Sequence, residues 1–106
     1  MPRMCYKNAS TLAVVCDMMY VEGFLKIESD VIIEHGFCMD GDMIIDPTIP
    51  DALAENYTIG AAFTAQEVTD MVPLTLPIIM HIGKNDARKV RYDRLYQETL
   101  RNRRSV

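Results

Sequence analysis

Three residues whose side chains can together make a thiol nucleophilic lie in separate early segments of the chain: Cys5, His35 and Asp46. A nucleophilic cysteine needs a base for its proton and a third group to orient that base. Cys5 precedes an apolar run with helical spacing, which sets the partial positive charge and unpaired N–H groups of a helix N-terminus beside the sulfur. The same N–H groups could receive the oxyanion formed when the sulfur attacks a carbonyl. His35 and Asp46 flank Asp40-Gly41, a dipeptide with a strong preference for a two-residue hairpin turn. With Asp40 and Gly41 as the loop, Met39 faces Asp42 and Cys38 faces Met43. His35 then falls directly opposite Asp46, with Cβ atoms about 4.5 to 5.5 Å apart. In that position a carboxylate can fix the imidazole's tautomer and stabilise its cation. A slip of one residue would send the two side chains to opposite faces.

Each of these residues also has a plainer reading. A cysteine near an N-terminus can be an ordinary thiol, and a strand histidine beside an aspartate can be a structural pair. Their conjunction, in a helix and hairpin context, favours chemistry. Asn8 is a candidate oxyanion donor or orienting group, although capping the first helix would explain its type as well. Tyr6, adjacent to the thiol, is a second such candidate. Cys16 lies on the apolar stripe of the first helix and is expected in the core. Cys38 falls on the opposite strand face from His35 and is expected to pack. His81, without an evident acidic partner, is the reserve base. Glu34 points away from His35 in a regular strand, and Asp40 and Asp42 are explained by the turn. Cys5, His35 and Cys38 fall short of the four ligands of a closed zinc site, so neither a metal nor a cofactor is expected.

The elements that must position these groups follow from periodicity and punctuation. The spacing predicts a helix from Asn8 or Ser10 to Met19, with Leu12, Val15, Cys16 and Met19 on one stripe of an almost wholly apolar cylinder. Strands are predicted at Tyr20–Ile27, Val31–Met39 and Met43–Asp46, the last ended by Pro47. Asp51–Asn56 reads as a loop or short helical turn. Thr64 followed by Glu67 is a capping-box pattern that opens a short helix, Ala65–Met71. Leu74–Ile82 reads as an extended, buried strand kept at an edge or divided by its prolines. Asp86–Arg101 closes the chain as an amphipathic helix with Val90, Tyr92, Leu95, Tyr96 and Leu100 on its apolar side. The expected fold class is therefore α+β: a central N-terminal helix on a small, mainly antiparallel sheet, a short middle helix and a C-terminal amphipathic helix.

A length of 106 residues, 49% hydrophobic and 25% charged, suits one globular domain over 1–106. The longest apolar stretch is broken by Pro73 and Pro77, so no spanning helix and no membrane partner is expected. Three cysteines without CxxC spacing, and no long apolar leader, point to a reducing, cytoplasmic setting. The net charge of −4 is unevenly spread. Residues 84–106, the basic C-terminal helix and tail, hold eight basic and three acidic residues, while the first 83 hold three basic and twelve acidic. Such a split suggests a tail that packs on its own acidic body or meets an acidic partner. Interleaved acids make a poor phosphate-tracking surface, which disfavours nucleic acid. A homo-oligomer through the late apolar segment or the last helix is a further arrangement.

Several segments together carry a family resemblance. They are Cys5-Tyr6-Lys7-Asn8-Ala9 leading into a helix, Tyr20-Val21-Glu22-Gly23 opening a strand, Glu34-His35-Gly36-Phe37-Cys38, Ile45-Asp46-Pro47-Thr48 after an Asp-Gly turn, and Gly60-Ala61-Ala62-Phe63. Over residues 5 to 72 or so, the chain resembles small bacterial and phage proteins with a minimal papain-like or transglutaminase-like cysteine fold. The resemblance implies a triad of helix-terminal cysteine, strand histidine and next-strand aspartate, which maps to Cys5, His35 and Asp46. It implies acyl transfer from an amide or thioester, with a protein or peptide-like substrate: hydrolysis, deamidation or transglutamination. The rival expectation is a non-catalytic interaction protein, such as a phage-encoded inhibitor of a host factor in the host cytoplasm, docking through its acidic body or basic helix.

Overall fold

The computed structural model describes residues 4–71 and 76–104, apart from the side chains of residues 29 and 102–104. Helix α1 (Met4–Cys16) is followed by strands β1 (Met19–Lys26), β2 (Ile32–Asp40), β3 (Met43–Ile45) and β4 (Tyr57–Phe63), then helices α2 (Ala65–Asp70) and α3 (Ala87–Arg104). The strands form one sheet in the order β3-β2-β1-β4, antiparallel throughout. This is the α+β arrangement that the periodicity predicts.

Helix α1 runs further upstream and stops earlier than expected. It begins at Met4, so Asn8 and Ser10 lie inside it and neither is an N-cap. Cys5 sits in the first turn itself. At the other end Asp17 takes φ 54° and Met18 N–H donates to Ala13 O at 2.9 Å, the six-to-one bond of a Schellman stop. Met19 therefore opens β1 instead of closing the helix. The buried face is Cys5, Tyr6, Ala9 and Ala13, whereas Val15 is 76% exposed and Cys16 is exposed too, contrary to its expected place in the core. A helix that is apolar nearly all round has no periodic signal to say which side turns inward. Proximity decides instead: α1 lies so close to β2 that a Cβ at Gly36 would come within 3.0 Å of Tyr6 Cα, and only small residues fit such a contact.

Alternation along the strands sorts the sheet into two faces. Tyr20, Phe24, Cys38, Ala61 and Phe63 join the α1 side chains in the main core, together with Val68 of α2 and Tyr92 of α3. Val21, Leu25 and Phe37 are fully buried on the other face.

The hairpin is aligned differently from the prediction. Asp40 pairs with Met43, Met39 with Ile44 and Cys38 with Ile45, so the two loop residues are Gly41 and Asp42. Gly41 has φ 59°, and a glycine at the first central position is what a type II′ hairpin prefers. The partner of every β2 residue is thus displaced by two. A displacement of two keeps each side chain on its face, where a displacement of one would not.

Beyond the hairpin, the capping box is present as predicted: Glu67 N–H donates to Thr64 Oγ1 at 3.1 Å and Thr64 N–H to Glu67 Oε1 at 3.0 Å. Strand β4 has no counterpart in the sequence reading. The extended strand predicted over Leu74–Ile82 is not what the described part of that segment adopts. Residues 72–75 lie outside the described residues, and Ile78–Met80 forms a 3-10 turn. That turn is fastened by Glu22, which accepts from the N–H groups of Ile78 and Ile79 and leaves them unavailable to a ladder. In α3 Asp86 caps the first turn, accepting from Arg88 N–H at 2.9 Å. Tyr92 is buried as expected, while Val90 is 56% exposed and lies off the packed side. Arg88 and Arg91 donate to the carbonyls of Ala62 and Ile59, covering the otherwise open edge of β4.

Candidate active site

The strand order brings His35 and Asp46 together by a different route from the direct opposition predicted. Continuing the observed register past Ile45 sets Asp46 opposite Phe37, so His35 and Asp46 meet as diagonal neighbours on one face. Their side chains touch: His35 Nε2 and Asp46 Oδ2 are 2.6 Å apart, and both residues are buried. Beside the ring, β3 pairs only with Cys38–Asp40, so on that side no strand flanks β2 at His35, which pairs with Gly23 of β1 on the other. The imidazole can meet the first turn of α1 around that edge, and it is hydrogen-bonded to the Cys5 side chain. With Nε2 committed to Asp46, Nδ1 is the nitrogen left for the sulfur. Thiol, imidazole and carboxylate, from a helix, a strand and a loop, form one hydrogen-bonded line.

Asp46 is held on both oxygens. Oδ1 accepts from the backbone N–H groups of Thr48 at 2.9 Å and Ile49 at 3.0 Å, an Asx turn closed within Asp46-Pro47-Thr48-Ile49. Oδ2 accepts from His35 and from the Tyr57 hydroxyl, also at 2.6 Å. Burial pushes the Asp46 carboxyl up, but the bonds from His35, Tyr57 and Ile49 outweigh it and hold the group below the ordinary carboxylate value. For His35 burial works against the cation, yet the hydrogen bonds to Asp46 and Cys5 prevail and raise its pKa to about 9. At neutral pH the pair is an imidazolium and a carboxylate, and both ring nitrogens are donors.

Around this line the remaining candidates take defined places. Asn8, one turn after Cys5, donates through Nδ2 to Thr48 Oγ1 at 3.1 Å, tying α1 to the loop that carries Asp46. Tyr6 is buried against Gly36. Cys38 is buried on the α1 side, its thiol donating to Ala9 O at 3.0 Å, and burial raises its pKa to about 11. A thiol so held is packing, as alternation predicts. Glu34 turns away from His35 and accepts from the Tyr92 hydroxyl at 2.7 Å. His81 is exposed at the end of the 3-10 turn. Among the described residues no group of three or more His, Cys, Asp or Glu side chains could hold a metal ion.

Two residues escaped the sequence reading. Tyr57 opens β4, whose Tyr-Thr-Ile start carries a strand signal that Gly60-Ala61-Ala62 then dilutes. Glu22 is a fully buried carboxylate on the core-facing side of β1, where it accepts from the Tyr20 hydroxyl at 2.6 Å and from the two amides of the 3-10 turn. A glutamate in the middle of a strand that is apolar up to its terminal Lys26 was the available signal. Burial raises its pKa, and its three donors oppose that rise.

Comparison with known proteins finds no family model that matches the chain, no similar curated protein and no similar solved structure.

Proposed function

We propose that the chain is a cysteine-dependent acyl-transfer protein acting on an amide or thioester carbonyl, with Cys5 as nucleophile, His35 as proton carrier and Asp46 as orienting group. The observation that carries this reading is the continuous hydrogen-bonded line from Cys5 through a cationic His35 to Asp46. An imidazolium cannot accept a proton from a thiol, so attack requires the sulfur as a thiolate beside the protonated ring. In the first step the thiolate forms a bond to the carbonyl carbon, and the displaced electron pair resides on the oxygen. Cys5 lies at the start of α1, whose backbone N–H groups would receive that oxyanion. Collapse expels the amine or thiol leaving group, which takes the proton from His35. Neutral His35 then accepts a proton from the water or amine that attacks the thioester, and Cys5 is released.

The test is formation of the acyl-enzyme itself. Incubation with an activated acetyl ester should add one acetyl group to Cys5, read by intact mass and peptide mapping and reversed by hydroxylamine. Cys16→Ala should acylate at the wild-type rate and Cys5→Ala not at all. His35→Ala should be slower by roughly a hundredfold, the low end for loss of a proton-transfer group. Equal labelling of Cys5 and Cys16 would remove the proposal.

One observation favours a second reading, in which the fold is kept for interaction alone. Cys5, His35 and Asp46 are respectively 4%, 2% and 6% exposed, which leaves a macromolecular substrate a narrow approach to the sulfur. Under that reading Cys5 stays unacylated while the protein still captures an acidic partner through the exposed basic face of α3, where Arg91 and Arg94 lie.

A further inference from the structure

We propose that Tyr57 is a positioning residue of the Cys5–His35–Asp46 line, its phenol sharing Asp46 Oδ2 with the imidazole and thereby setting how tightly His35 holds its proton. This role rests on the acyl-transfer reading for its purpose, though not for its physics. An ionised carboxylate has about four lone-pair positions. Asp46 fills them with two backbone N–H groups on Oδ1 and with His35 and Tyr57 on Oδ2. The carboxylate therefore cannot rotate without losing a donor, and its second oxygen divides its charge between two partners at equal distance, 2.6 Å each. Density drawn toward the phenol is withheld from the imidazolium. The imidazolium is then a stronger acid than it would be beside an undivided carboxylate, which suits a group that must hand its proton to a leaving amine. The phenol oxygen also lies 3.5 Å from Ile49 O, a much longer contact than the one to Asp46. Phe37 holds the geometry from the side: its ring meets Tyr57 edge-on at 4.7 Å and stacks on His35 at 6.3 Å. Among the described residues, the titratable groups facing the His35 ring are Cys5 from α1, Asp46 from the loop after β3 and Tyr57 from β4.

The experiment follows the imidazole directly. In a His81→Gln background His35 is the remaining histidine, and its ring C–H resonances report its titration by NMR. Tyr57→Phe should move the midpoint upward by about half a pH unit, because the whole Oδ2 charge then falls to the imidazolium. Replacing Tyr57 by 3-fluorotyrosine, a stronger donor of nearly the same shape, should move it downward, and it serves as the readout if Tyr57→Phe does not fold. A purely structural tyrosine would lower the melting temperature and leave both midpoints where they were, and that result overturns the proposal, as does a downward shift in Tyr57→Phe. Acetyl transfer to Cys5 is measured on the same samples. Opposite shifts with an inert Cys5 would sink the acyl-transfer reading and leave the control of His35 by Tyr57 standing.

Discussion

At the residue scale the protein concentrates its ionic chemistry in one buried pair. His35 and Asp46 are charged partners with almost no solvent contact, a pair that is costly to form and costlier to break one-sidedly. The pair makes stability depend on pH with a definite sign. His35 has a folded pKa of about 9 against an ordinary 6.5, so its contribution is complete below about 6.5 and is lost as the pH rises through 9. Asp46 is held below its ordinary 3.8, so its contribution is complete above that value and is lost as the pH falls below it. Urea midpoints of the wild type should therefore fall relative to His35→Gln between pH 6.5 and 9.5, by an equivalent on the order of 3 kcal/mol. Parallel curves for the two proteins across that range would show that the imidazolium adds nothing to the folded state.

At the element scale the close seat of α1 on β2 is what brings Cys5 to the sheet. Ala9 and Ala13 supply small side chains on the helix and Gly36 supplies none on the strand, so the backbones approach where larger residues would hold them apart. Gly36→Ala should cost about 1–3 kcal/mol, since its Cβ would stand 2.7 Å from Tyr6 Cδ1 and α1 would have to lift. Gly83→Ala, whose Cβ meets nothing within 4 Å, is the matched control and should be near neutral. Differential scanning calorimetry on the two variants decides the point: equal melting temperatures would mean that the contact is slack. Slower acetylation of Cys5 in Gly36→Ala, at temperatures where it remains folded, would tie the same contact to the sulfur's position.

For the molecule as a whole, Glu22 fastens the late segment to the first strand. Its carboxylate collects the Tyr20 hydroxyl and the Ile78 and Ile79 amides, and none of these polar atoms has water to replace it. Glu22→Ala should destabilise by about 3–5 kcal/mol, because each buried group left unsatisfied costs about 1–3. Glu22→Gln, which keeps an acceptor oxygen, should lose less. Urea unfolding that shows under about 1 kcal/mol for Glu22→Ala would mean that the late segment is held by its isoleucines alone. At the β4 edge of the sheet Arg88 joins Glu67 at 3.0 Å and Asp86 at 3.1 Å and lies over the Phe63 ring at 4.6 Å. Part of the basic C-terminal helix is thus spent on the protein's own acidic residues. No helix among the described residues is long and apolar enough to cross a membrane.

What could be read from the chain alone was whatever local chemistry dictates: six of the seven α-helices and strands among the described residues, the capping box at Thr64 and Glu67, and the strand parity that puts His35 and Asp46 on one face. Parity survives because side chains alternate with period two, so a hairpin realigned by two residues returns each group to the same side. Tertiary contacts decided the rest. Which side of an all-apolar α1 turns inward depends on the space above Gly36, not on periodicity, and so Cys16 lies outside while Cys5 lies within. The late segment carries the composition of a strand, yet its amides are claimed by Glu22 from the far end of the sequence. Tyr57 joins Asp46 only because β4 lies beside β1, a pairing between distant stretches of chain that no local pattern encodes.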